Sequence, residues 1–149
     1  MLTADVNQRV LKGAARVSAA LLGRVLRETG RALGLKETRR LSIAFVGEEE
    51  MRRLNRTWRG KDRVTDVLAF PLAGGGTEEE LVGEVLVCYP QAKRQAEELG
   101  HSPREEVLML VVHGILHVFG YDHERTADAR RMFPLQNRIL KRLGIDLPL

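Results

Sequence analysis

Residues 103–123 read Pro-Arg-Glu-Glu-Val-Leu-Met-Leu-Val-Val-His-Gly-Ile-Leu-His-Val-Phe-Gly-Tyr-Asp-His, a stretch that holds both a central helix and a candidate metal site. Ser102 before it and Glu105 within it form a helix start, with a serine N-cap and Pro103 at the first helical position. From Val107 to Phe119 the run is apolar on nearly all sides, so a helix reaching about Phe119 must be central and buried. His113 and His117 are four residues apart and share one face of that helix, at the floor of a cleft. Gly120 can take the left-handed conformation that ends helices, and the Tyr121-Asp122 turn then returns His123 toward the same point.

Three of the chain's four histidines therefore stand at the H-x-x-x-H-x-x-G-x-x-H spacing of a three-imidazole metal site. Three protein ligands leave one position of a tetrahedral ion open, which is the arrangement of a catalytic rather than a structural metal. The spacing is that of the long zinc-protease signature, except that Gly114 replaces the glutamate that serves there as general base. Peptide hydrolysis is thereby demoted, and metal-assisted hydrolysis of other bonds is not. Three nitrogen donors suit Zn2+, and Ni2+, copper or iron would also be accepted. His101, alone at the start of the same helix, reads as a hydrogen-bonded core or surface residue.

Outward from this helix the pattern alternates between strands and helices. Met1 to Gln8 reads as a short extended segment, and a helix follows from about Val10 to Leu33, with Gly34 near its end. Its core stripe is Ala14, Val17, Leu21, Leu22, Val25 and Leu26. Leu41 to Val46 alternates as a half-buried strand ending at Gly47. Glu48 to Trp58 is a short helix with Met51, Leu54 and Trp58 spaced to face inward. Asp66 to Phe70, closed by Pro71, and Leu81 to Cys88 read as two further strands. The Gly74-Gly75-Gly76 run between them is a flexible connection with no phosphate-loop pattern. Gln91 to Leu99 is helical, and a last helix from about Glu124 to Leu143 can pack Met132, Leu135, Ile139 and Leu140 on the rest. The expectation is an α+β (mixed α/β) fold over one domain, residues 1–149, with a four-stranded sheet and about five helices.

The bulk properties are compatible with this picture. With 44% hydrophobic and 30% charged residues, the chain has the composition of a soluble globular protein. No apolar run reaches membrane-spanning length. The one cysteine, Cys88, has no internal disulfide partner, which suits a reducing compartment such as the cytoplasm, and on a strand it reads as a small buried side chain. The first 27 residues are rich in basic side chains, a bias shared with transit peptides, but their apolar stripe assigns them to a first helix. The net charge of +4 is mild. Its distribution is more telling, because Arg52, Arg53, Arg56, Arg59, Lys61 and Arg63 cluster against the single acid Asp62. Such a cluster serves either as a solvated helix face or as a phosphate-binding surface.

These residues converge on a known family: the chain resembles the bacterial YbeY proteins, metal-dependent endoribonucleases also described as ribosomal RNA maturation factors. One motif is His113-Gly114-Ile115-Leu116-His117 through Gly120-Tyr121-Asp122-His123. The other is Asn55 with Arg59-Gly60-Lys61-Asp62 and Thr65-Asp66-Val67-Leu68-Ala69-Phe70-Pro71, and Gly83-Glu84-Val85 to Cys88 resembles a weaker third block. Ala69 stands where the family usually has serine, and Glu84 where it has aspartate. By resemblance, the zinc ligands fall on His113, His117 and His123 and the functionally important arginine on Arg59. The resemblance further implies action on single-stranded RNA, maturation of small-subunit 16S rRNA, contact with the small ribosomal subunit and a role in ribosome quality control.

The chemistry of the residues fits such a reaction. Cleaving a phosphodiester concentrates negative charge on the phosphoryl oxygens, which Arg59 can hold bidentately while Lys61 and Arg63 track the backbone. Arg59 and His113 are thus the candidate catalytic residues. A metal-bound water of lowered pKa can supply hydroxide near neutrality, and RNA carries its own 2′-hydroxyl nucleophile, so the missing glutamate is less of an obstacle. Asp66 and Asp122 are candidates to orient the ligand imidazoles, with an ordinary turn role equally open for Asp122. Two other readings stand beside this one: a non-catalytic ribosome-assembly factor with a structural metal, and a metallopeptidase-like hydrolase.

Overall fold

In the computed structural model, which describes residues 1–73, 77 and 79–147, the chain is an α+β protein built on a four-stranded mixed sheet. The strands are β1 (Leu2–Asn7), β2 (Arg39–Val46), β3 (Val67–Pro71) and β4 (Leu81–Cys88). The helices are α1 (Ala19–Leu33), α2 (Glu48–Arg59), α3 (Tyr89–Leu99), α4 (Pro103–Val118) and α5 (Thr126–Arg142). Strand order is β1-β2-β4-β3, with β1, β2 and β4 mutually parallel and β3 antiparallel to β4 at one edge. The glycine run at 74–76 lies outside the described residues. Among the described residues no helix is long and apolar enough to cross a membrane.

The two central strands carry the alternation expected of them. Leu41, Ile43 and Phe45 of β2 and Val85 and Val87 of β4 are buried in the main core, beneath α1, α4 and α5. A smaller cluster of Val46, Met51, Leu68 and Cys88 fills the space under α2. Helix α4 is the centre of the molecule and packs on β3, β4, α3 and α5. Ten of its residues, from Glu106 to Val118, are buried.

The capping box at its start is complete: Ser102 Oγ accepts from the Glu105 N–H at 3.1 Å, and the Ser102 N–H donates to Glu105 Oε1 at 3.2 Å. Its end is equally defined. Gly120, at φ 95°, allows its own N–H to reach the His117 carbonyl and the Tyr121 N–H to reach that of Leu116, each at 3.0 Å, the paired closure that stops a helix and turns the chain. The one strongly buried carboxylate of α4, Glu106, is satisfied by His101 Nε2 at 2.6 Å and Gln95 Nε2 at 3.2 Å. His101 is therefore the hydrogen-bonded histidine its position suggests.

Two expectations need correction. The first helix begins at Ala19 rather than near Val10, because Ser18 caps it, accepting from the Leu21 N–H at 3.1 Å, while Gly13 at φ 57° turns a separate short 3-10 segment. Val10 is exposed and Val17 reaches the core from the connecting loop instead. Trp58 does not face inward. It is 66% exposed, because the inward face of α2 is filled by Met51, half-buried Leu54 and the buried amide of Asn55, which donates to the Arg63 carbonyl at 2.9 Å.

A histidine-lined cleft and its cationic wall

Helix α4 presents His113 and His117 one turn apart, and the closure at Gly120 swings His123 over them. The three ring centroids lie 4.7, 5.0 and 5.2 Å from one another, and one nitrogen from each ring falls within 4.8 Å of the others. His113 Nε2 and His117 Nε2 are 3.1 Å apart. Two ligands on a tetrahedral ion with bonds of about 2.0–2.1 Å are separated by about 3.3 Å, so the pair is already at ligand spacing.

The tautomer of His113 is set by a residue that the sequence motifs do not mark. Gln136 of α5, 1% exposed, accepts the Nδ1 proton of His113 on Oε1 at 2.7 Å, which leaves Nε2 as the lone-pair nitrogen aimed at His117. Phe133, one turn earlier on α5, stacks on His113 at 6.4 Å and meets His123 edge-on at 5.9 Å. Burial depresses the pKa of His113, the Gln136 bond opposing it in part. Burial, with His113 and His123 as like-charged neighbours, pushes His117 down to about 4. Both rings are therefore neutral near pH 7, the state that can ligate a metal. The donor set, its spacing and its protonation all fit a divalent transition metal.

The histidines line an open cleft of about 700 Å³ together with Arg59, Lys61 and Arg63 and with the carboxylates of Asp66, Asp122 and Glu124. Arg59 closes α2, and its Nη2 donates to the Ala69 carbonyl of the edge strand at 3.0 Å, with the guanidinium 5.6 Å from the Phe70 ring centroid. The single acid of this basic cluster is turned away: Asp62 takes Arg52 in a two-point pair at 2.9 and 3.2 Å and Arg56 at 3.6 Å. Among the described residues no carboxylate pairs with Arg59, Lys61 or Arg63. These three cations are thus not neutralised by a direct ion pair and can pair with an anionic ligand.

Both aspartates lie at the cleft, and neither accepts a hydrogen bond from a ligand imidazole. Asp66 takes the Val67 N–H at 2.8 Å and Gln95 Nε2 at 3.0 Å, so a buried chain from His101 through Glu106 and Gln95 fixes it. Asp122 Oδ1 accepts from the backbone of His123 at 2.6 Å and Glu124 at 3.2 Å, shaping the turn that delivers His123, and it lies 3.9 Å from His123 Nδ1. The His123 N–H is the chief reason its carboxyl is held below the usual carboxylate range.

Gly114 faces the sheet at very close range. A Cβ there would sit 2.5 Å from Val85 Cγ1 and 3.3 Å from Val67 Cγ2, so no glutamate fits this position. A second glycine repeats the device from the sheet side, since a Cβ on Gly83 would fall 2.4 Å from Val118 Cγ1. Together they seat α4 directly on β4, which sets the depth of the histidines against the β3 edge.

Comparisons with known proteins agree over most of the chain. The family described as Endoribonuclease YbeY matches residues 5–144. Among relatives, the chain is 50% identical over 109 residues to the protein named Endoribonuclease YbeY of a Sulfurihydrogenibium species, covering 72% of each chain. It is 40% identical over 133 residues to that of Geobacillus thermodenitrificans, covering 83% of this chain and 85% of the relative. The solution structure of TM1509 from Thermotoga maritima is similar, with a TM-score of 0.63 at 29% identity, over 96% of this chain and 89% of that one.

Proposed function

Because the chain belongs to the endoribonuclease YbeY family, we propose that it is a zinc-dependent endoribonuclease that cuts single-stranded RNA, matures 16S rRNA on the small ribosomal subunit, serves ribosome quality control and works in the cytoplasm as a single domain spanning residues 1–149. The observation that carries this reading is the convergence of three imidazoles in a cleft also lined by Arg59, Lys61 and Arg63, none of which pairs with a carboxylate among the described residues.

His113, His117 and His123 would hold the ion, with zinc the best match to three neutral nitrogen donors and nickel an acceptable substitute. When bound, it supplies Lewis acidity and a water of lowered pKa. The protein side chains do the rest. Arg59 is anchored through one N–H to the Ala69 carbonyl and lines the cleft, so its remaining donors are available to a phosphate there and can hold the charge that builds on the phosphoryl oxygens. Lys61 and Arg63 extend that wall along the neighbouring phosphates. Gln136 keeps His113 in the tautomer that points Nε2 into the site.

No carboxylate can occupy position 114, and Asp66 and Asp122 are committed to the groups that hold them. We take the nucleophile to be the substrate's own 2′-hydroxyl, which RNA brings with it: it gives up its proton to solvent, its oxygen attacks phosphorus, the 5′-oxygen leaves and takes a proton from solvent, and the 5′ fragment ends in a 2′,3′-cyclic phosphate. One 2′-deoxy residue at the mapped cleavage site then stops cutting there. Undiminished cutting of that substrate would replace internal attack by direct hydrolysis.

The test of the whole reading uses metal-replete protein free of contaminating nuclease and a labelled single-stranded RNA. Wild type cuts it, and Arg59→Ala abolishes cutting while metal content and melting temperature stay nearly unchanged. Lysine at this position rescues poorly because it lacks the planar two-point fork. Full activity in the alanine variant would remove Arg59 from the mechanism, and no cleavage by wild type would leave the non-catalytic assembly factor as the better reading.

A further inference from the structure

Trp58 is the chain's single tryptophan and the one aromatic among the large apolar side chains that the described residues leave exposed. It follows Leu54 and Asn55 by four and three residues, so the period of α2 would place it on the buried face; instead it stands out beside the edge strand, touching Phe70 edge-on at 6.1 Å and 61°. Leaving an indole in water forgoes one of the largest burial gains any side chain can make. The contact with Phe70 nevertheless holds it in a defined place, with much of its surface open.

The neighbour of that ring is the phosphate clamp. Phe70 lies 6.1 Å from Trp58 and 5.6 Å from the Arg59 guanidinium, so one half-buried ring holds an open aromatic surface and a cleft-facing cation side by side. Lys61 and Arg63, which line the same cleft as Arg59, are exposed as well. An aromatic platform among cations beside a phosphate site is the chemistry that binds an unpaired nucleobase. Bases inside a duplex have both faces covered by their neighbours, whereas a splayed base has one free to stack.

Resting on the reading of the cleft as an RNA site, we infer that Trp58 is a stacking platform for an unpaired base adjoining the phosphate held by Arg59, and that this stack contributes the preference for single strands. The single tryptophan gives a direct readout, because all indole fluorescence arises from this ring. Metal-loaded protein is titrated with a 2′-O-methyl oligonucleotide, verified intact afterwards, as a single strand, annealed to its complement, and as a series carrying an abasic position. The single strand quenches the fluorescence, the duplex does so far less, and one abasic position in the series relieves the quench. Trp58→Ala binds the single strand roughly tenfold more weakly, Trp58→Phe stays within about threefold of wild type, and both keep the wild-type melting temperature. Arg59→Ala weakens binding yet retains the quench at saturation.

Wild-type affinity in Trp58→Ala together with a loss of affinity in Arg59→Ala would overturn the stack alone, leave the RNA site standing, and assign the exposed indole to a protein surface. Equal quenching by single strand and duplex would likewise overturn it. Failure of wild type to bind either form would overturn the stack together with the RNA reading beneath it.

Discussion

At His113 the two ring nitrogens have separate tasks, and Gln136 decides which does which. The amide oxygen takes the Nδ1 proton at 2.7 Å, while the amide Nε2 of Gln136 is buried without a hydrogen-bond partner. Gln136→Leu removes the orienting acceptor and the unpartnered donor together, so the apo-protein should keep its stability while metal affinity falls about 10–100-fold. Competition against a chromophoric chelator measures this, and an unchanged affinity would reduce Gln136 to core packing. Cys88 makes the contrasting case. It is fully buried and burial raises its thiol pKa, so a thiol-specific disulfide reagent should leave the native protein unmodified and react only after denaturation.

At the scale of elements, the site depends on how closely α4 lies on the sheet. Gly114 and Gly83 remove two methyl groups that would otherwise hold helix and strand apart. Alanine at position 114 would favour the helix by up to about 1 kcal/mol, but it overpacks a core that has no slack, at about 1–3 kcal/mol. The balance should be a net loss in urea unfolding, with weaker metal binding as the histidines ride outward. Val85→Ala empties the space that the new methyl needs, so the double variant should recover stability relative to the sum of the single changes. Strict additivity would mean that the contact does not set the seating of α4. The end of α2 is the other decisive element: three residues from Trp58 to Gly60 divide between an open aromatic, a cleft cation and the glycine, at φ 69°, that ends the helix.

Across the whole molecule, the imidazole pair couples folding to pH and to metal. His117 is pushed down to about 4 in the fold and His113 is lowered as well, against an ordinary value of 6.5. Between those limits the unfolded chain binds more protons than the folded one, so stability rises with pH across the window. The His117 contribution is fully present above about pH 6.5, falls as the solution is acidified, and is gone once the pH has dropped below about 4, and that of His113 has the same sign. Melting of the metal-free protein should therefore decline from pH 7 to pH 5 more steeply in wild type than in His117→Ala; parallel curves would contradict the buried, neutral pair. Adding zinc at pH 7 in 100-fold excess over its dissociation constant should stabilise the fold by about 2.7 kcal/mol, and chelation should reverse it.

Arg59 stands out through resemblance to the family, whereas the candidate metal-ligand trio, the central buried helix with its start and stop, and the order of strands and helices along the chain are legible in the residues themselves. Each was legible because it is written locally: ligands at fixed spacing, a capping serine three residues before a glutamate, a glycine at the helix end, and alternation along a strand. Only the packing of the folded chain shows which groups hold those imidazoles. Gln136 and Phe133 lie 23 and 20 residues beyond His113 on a helix whose pattern marks only its packing stripe, and their approach follows from how α5 crosses α4. The same holds for the exposure of Trp58, because helical period gives a residue's face but not where the neighbouring strand runs out beneath it. It holds for Gly114 as well: in the sequence it is a missing glutamate, and only the seating of α4 on Val85 shows that the fold has no room for a side chain there.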